Sequence, residues 1–101
     1  MKIAIVAITK RGESIALSIK RSLPKSKLYI PVKLPAGGKG AVSFKGKLTG
    51  LTKKLFVEFE GIVFCMAAGI VVRVIAPYIK DKHTDPAEVV VDQSGRNAIS
   101  L

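Results

Sequence analysis

Only a handful of residues in this chain are of types that do chemistry, and each can be weighed by its neighbours. The single histidine, His83, stands between Asp81 and Asp85. Such a trio could hold a metal, but a solvated polar loop has the same composition and is the simpler reading. Cys65 is the one cysteine and lies inside an apolar run, where a thiol is inert core rather than a nucleophile. It has no second cysteine to pair with, so a reduced, cytosolic setting is expected. Glycine-rich loops fail on spacing. Gly37-Gly38-Lys39-Gly40 and Gly46-Lys47-Leu48 satisfy neither the spacing of a phosphate-binding P-loop nor its final hydroxyl. The first apolar run is followed by Gly12 alone, not by the three glycines of a dinucleotide fingerprint.

What remains is positional. In open α/β sheets ligands bind beyond the carboxyl ends of the strands. Here those ends carry Thr9-Lys10-Arg11, Ala67-Ala68-Gly69 and Asp92-Gln93-Ser94-Gly95. A helix starting at Gly69 would aim free backbone N–H groups at that crevice, a natural place for a carboxylate or phosphate. Close helix–strand packing without any ligand would select the same small residues.

The elements that must position these groups follow from hydrophobic patterning. Residues 3–8 are continuously apolar and rich in β-branched side chains, as an interior parallel strand covered on both faces requires. Ile15, Ala16, Ile19 and Leu23 then recur at helical spacing, and Pro24 ends that helix. Residues 27–30 read as a second strand. Residues 31–47 hold two prolines, four glycines and four lysines and read as a mobile basic loop. A weakly amphipathic helix over 48–56 leads to a third strand at 62–66, a helix over 70–79, a polar loop at 81–86 and a fourth strand at 88–92. Ser94-Gly95 turns the chain into a C-terminal hairpin return. Strands alternating with helices predict a single α/β domain over 1–101: an open, mainly parallel sheet of about four strands with flanking helices, in Rossmann-like or flavodoxin-like layering, with the runs at 3–8 and 62–66 adjacent at its centre. A transmembrane helix over 62–79 competes, since Arg73 is its only charge, but Arg73, Pro77 and Gly69 fit strand, turn and helix better.

Charge is segregated along the chain. Residues 1–55 carry 13 of the 17 Lys and Arg and only one acid, Glu13, while 56–101 carry the other six acids. A basic half attracts polyanions: nucleic acid, anionic lipid, or a small molecule bearing many carboxylates. Stacking aromatics do not interleave with the basic loop, so RNA-recognition patterns are missing.

Three segments in fixed order are familiar. Met66-Ala67-Ala68-Gly69-Ile70-Val71-Val72-Arg73-Val74-Ile75-Ala76-Pro77, then Asp81-Lys82-His83-Thr84-Asp85-Pro86-Ala87, then Val89-Val90-Val91-Asp92-Gln93-Ser94-Gly95, closely resemble the N-terminal domain of the CbiG family. The opening Ile8-Thr9 followed by Gly12 is also similar to that family's start. Its members are the cobalt-precorrin 5A hydrolases of anaerobic cobalamin biosynthesis. The resemblance implies a hydrolase that opens the δ-lactone of the corrinoid intermediate and releases the two-carbon fragment as acetaldehyde. It implies no cofactor, since cobalt enters only within the substrate, and a cytoplasmic, anionic cobalt-corrinoid as partner rather than a membrane. Family chains are several times longer and continue with Ser-Gly-His and Gly-Gly-Ala-Asn segments. The present sequence is therefore expected to be a fragment or split gene product, ending before the central and C-terminal domains and inactive alone.

The same motifs nominate Thr9, Gly69, Arg73, Lys82, Asp85, Asp92 and Gly95 as substrate-binding candidates; the catalytic residues stay unassigned. Gly69 would admit a substrate carboxylate to a helix N-terminus. Arg73 could grip a carboxylate in bidentate fashion, or form a structural ion pair with Asp85 or Asp92, the favoured role. Lys82 would neutralise a second carboxylate, while Asp85 and Asp92 orient their loops. The alternative function is a small basic α/β module using the lysines of 31–55 on nucleic-acid phosphates, with steep salt dependence. It ranks lower because the motifs of the acidic half have no role in it. A homo-oligomer is left open.

Overall fold

The computed structural model describes residues 1–34, 40–81 and 83–101. Lys82 and residues 35–39, part of the segment expected to be a mobile loop, lie outside them. Six strands are formed: β1 (Ile3–Ala7), β2 (Lys27–Pro31), β3 (Val42–Phe44), β4 (Gly61–Cys65), β5 (Ala87–Val91) and β6 (Ala98–Ser100). The helices are α1 (Lys10–Ser22), α2 (Leu48–Glu58) and α3 (Ala68–Ile75), the last continued by a 3-10 turn over Ala76–Tyr78. The strands make one sheet in the order β3-β2-β1-β4-β5-β6, parallel throughout except for β6 against β5.

β1 and β4 are neighbours at the centre, with Ile5 opposite Val63 and Val6 opposite Phe64. Successive strand side chains point to opposite faces, so a strand covered on both must be apolar at every position. Ala4, Val6, Ile62 and Phe64 accordingly pack on Leu51, Leu55, Val71 and Val74 of α2 and α3. Ile5, Ala7 and Cys65 face the other way, onto Ala16, Ile15 and Ile19 of α1. Burying each large side chain here stabilises the fold by about 1.5–3 kcal/mol.

The sheet has six strands rather than about four. β3 lies in the stretch read as loop: its alternation, Val42-Ser43-Phe44, is only three residues long and is lost among the surrounding glycines and lysines. Pairing holds it, with Tyr29 opposite Val42 and Pro31 opposite Phe44. β6 is the anticipated hairpin return, and Val90 opposes Ile99 in it. The 62–79 stretch divides into β4, a turn, α3 and the 3-10 turn. No helix among the described residues is long and apolar enough to cross a membrane. α3 stops short of residue 79 because Pro77 has no N–H to continue the ladder.

Candidate anion-binding site

Strand order reverses direction between β1 and β4: from β1 the chain proceeds through α1 to β2, from β4 through α3 to β5 on the other side. The two helices leave on opposite faces, so the carboxyl ends of β1 and β4 flank the switch point, the crevice at which such folds bind ligands. Thr9 caps α1, its Oγ1 accepting the Gly12 N–H at 3.0 Å. A Cβ at Gly12 would stand 2.5 Å from the Cys65 carbonyl oxygen, so glycine lets the first turn of α1 settle on the end of β4. Lys10 and Arg11, the first helical residues, are exposed beside the crevice, and first-turn N–H groups have no intrahelical partner.

Across the crevice α3 begins at Ala67, which makes no side-chain cap. Ala67, Ala68 and Gly69 are exposed. A Cβ at Gly69 would meet nothing within 4 Å, so packing does not require glycine there. Close packing explains Gly12, not Gly69. The helix start is left open with its N–H groups and the positive end of its dipole facing outward.

The third strand end builds a turn. Asp92 Oδ1 accepts from Ser94 Oγ at 2.7 Å and the Arg96 N–H at 3.3 Å, and Oδ2 accepts from Asn97 Nδ2 at 2.9 Å. Bonds from Ser94 first, then Asn97, hold this carboxyl at about 2, well below the usual range. Gly95 takes φ +73°, the left-handed conformation that favours glycine. Both residues shape the β5–β6 hairpin.

The remaining candidates lie elsewhere. Asp85 precedes β5, and in a parallel sheet this puts it at the amino edge, opposite Thr9, Gly69 and Asp92. There its Oδ2 accepts the N–H groups of Lys80 (2.7 Å) and Asp81 (3.1 Å), orienting the loop. Arg73 is exposed on α3. Its favoured ion pair with Asp85 or Asp92 is not formed: the ion pair seen among the described residues is Lys54–Glu58 at 3.9 Å. Lys82 lies outside the described residues. No group of acids, His and Cys among the described residues could hold a metal. Burial pushes the Cys65 thiol up to about 12, which makes it no nucleophile.

Sequence motifs missed the cations that share the carboxyl edge. Lys33 follows β2, Lys45 and Lys47 follow β3, and Arg96 lies in the β5–β6 turn, all exposed. Lys33 also lines a hollow of about 260 Å³ with Ile8, Pro31, Phe44 and Leu48. The signal that could have found them is the charge excess of residues 1–55, folded onto a parallel topology. A larger hollow, about 880 Å³, opens instead at the amino edge, between Phe59, Ile79 and Glu88.

Comparison with known proteins bears on this geometry. The family model described as Cobalamin synthesis G N-terminal matches residues 50–101. The cobalt-precorrin-5A hydrolase of Priestia megaterium is 41% identical over 101 residues, covering 97% of this chain and 27% of the relative. That of Salmonella typhimurium is 34% identical over 99 residues, covering 98% of this chain and again 27% of the relative. A solved structure, a cobalamin biosynthesis protein G homolog from Sulfolobus solfataricus, superposes with a TM-score of 0.71 at 25% identity, covering 99% of this chain and 28% of that one. The chain thus spans little more than a quarter of the length of the relatives it matches.

Proposed function

Because the chain belongs to the Cobalamin synthesis G N-terminal family, we propose that it is the N-terminal part of a cobalt-precorrin-5A hydrolase and that its carboxyl edge holds the anionic corrinoid substrate. The observation that carries this is the shared position of the α1 and α3 starts at the carboxyl ends of the central strands β1 and β4. The start of α1, capped by Thr9, and the uncapped start of α3 both lie there, and Lys10, Arg11, Lys33, Lys45, Lys47 and Arg96 stand along the same edge. A corrinoid bearing acetate and propionate groups needs several such contacts at once. Backbone N–H groups at Ala68 and Gly69 receive one carboxylate. Lys10 and Arg11 receive another. Opening of the δ-lactone and release of acetaldehyde require residues beyond these, so this edge binds and orients substrate. A cytoplasmic setting, with cobalt entering only as part of the substrate, accompanies the reading.

The test is equilibrium binding of the chain to a cobalt corrin polycarboxylate such as cobyrinic acid, followed by the corrin's visible absorption. Affinity should fall as salt rises. It should drop about tenfold, or about 1.4 kcal/mol, in the Lys10→Ala/Arg11→Ala double variant. Equal affinity of that variant, or equally tight binding of a short DNA duplex, overturns the reading; the second result favours a nucleic-acid module.

A further inference from the structure

The groove of about 880 Å³ at the amino edge has no part in the substrate reading. It is bounded by the starts of β1, β4 and β5 and by the ends of α2 and α3. Four carboxylates line it: Glu58, Glu60, Asp85 and Glu88. Three have partners. Glu58 faces Lys54 at 3.9 Å. Glu60 Oε1 accepts the Lys2 N–H at 2.8 Å, and Asp85 accepts two N–H groups of its own loop. Glu88 is different. It is only 8% exposed, shares its strand face with the core residue Val90, and has neither hydrogen bond nor ion pair among the described residues. Burial, together with the nearby Asp85 charge, pushes its pKa up, so a cation brought to it would favour its ionised form.

The surroundings specify the missing group. Val57, Ile79 and Leu101 line the same groove while 85%, 55% and 50% exposed, so apolar side chains stand uncovered around Glu88. A divalent ion would need several converging oxygens, and no such cluster exists among the described residues. The need is for one cation carried between apolar groups. We infer that the amino-edge groove is a docking site for a polypeptide segment that presents a lysine or arginine to Glu88 between apolar side chains set against Val57, Ile79 and Leu101. Charge complementarity selects the cation, and the exposed aliphatic walls select its neighbours. The matched relatives have nearly three-quarters of their length outside the matched part, an abundant source of such a segment in those proteins. This inference is independent of the substrate reading, since the two sites lie at opposite ends of the strands.

The test uses the 101-residue chain, labelled with ¹⁵N. The probe is the acetylated, amidated peptide Ser-Leu-Arg-Leu-Ile-Ser, beside a counterpart with neutral citrulline replacing arginine. The arginine peptide should shift the amide signals of Phe59, Ile79, Glu88 and Leu101, and the citrulline peptide should bind about tenfold more weakly. In Glu88→Gln the difference between the two peptides should vanish, which isolates the pair from the rest of the contact. Ile79→Ser, at an exposed position that tolerates change, should weaken both peptides alike. Shifts scattered over the acidic surface, or an arginine preference that survives Glu88→Gln, overturn the inference. A concentration-dependent dimer that Glu88→Gln abolishes also overturns it, by giving the groove to a second copy of this chain.

Discussion

The carboxyl and amino edges of this sheet are built from the same strands, yet they present opposite chemistry. At the carboxyl edge Lys10, Arg11, Lys45 and Lys47 stand at or near the starts of α1 and α2. At the amino edge Glu58 ends α2, and Glu60, Asp85 and Glu88 gather near it. In an α/β sheet the positive ends of the helix dipoles share the carboxyl edge and the negative ends share the other, so stability alone would favour acids at the first and bases at the second. Lys20 and Arg21, in the last turn of α1, follow that preference. Lys10, Arg11, Lys47 and Glu58 go against it. Charges placed where they oppose the fold's own field point to ligands rather than to folding: an anion at one edge, a cationic segment at the other.

The largest effect that would break this comparison is expected at Gly12. Gly12→Ala sets a Cβ 2.5 Å from the Cys65 carbonyl and lifts α1 off the end of β4. It should cost about 2 kcal/mol in urea unfolding, outweighing the helix-propensity gain of about 1 kcal/mol. A neutral result would mean that the crevice is not held by this contact. Next is the Lys10→Ala/Arg11→Ala variant, which should leave the fold as stable or raise its stability by at most about 1 kcal/mol while corrin binding falls. Lost stability would make these cations structural.

Two acids sharpen the contrast through pH, with opposite signs. Asp92, at the carboxyl edge, has its pKa lowered from 3.8 to about 2. Its stabilisation is complete above 3.8 and disappears as pH falls through about 2, so Asp92→Asn should flatten the acid limb of a melting-temperature profile there. Glu88, at the amino edge, has its pKa raised above 4.5. Its ionised form destabilises the fold above that pH, and protonation relieves the penalty as pH falls. Glu88→Gln should therefore melt no lower than the parent at neutral pH, with the two curves converging in acid. The smallest effect belongs to Gly69→Ala. A helical position with open space around it should gain up to about 1 kcal/mol of stability while losing some corrin affinity.

Much of the fold was legible along the chain. Uninterrupted apolar runs marked β1 and β4 as the buried central pair, and Pro24 and Pro77 stand near helix ends, whereas residues 9–13, which read as a turn, form the cap and first turn of α1. β3 was not legible, since Val42 to Phe44, a short run in a stretch rich in glycine and lysine, is held as a strand by pairing with β2. Of the site candidates, Thr9, Gly69, Asp92 and Gly95 share one edge. Asp85 joins the other because sequence proximity to β5 does not say which end of the strand a residue precedes until the sheet's direction is set.

By itself the sequence determined the alternation of strands and helices, the identity of the core and the family, because each rests on local composition, period or motif. Only the tertiary structure decided which charges share an edge, because parallel pairing gathers groups from distant parts of the chain. It separated Gly12, pressed on Cys65, from Gly69, open to solvent. It left Arg73 without the acid that sequence proximity offered it. It also placed Glu88 among apolar neighbours with no ion-pair partner among the described residues, since strand alternation turned that residue inward onto the face of Val90.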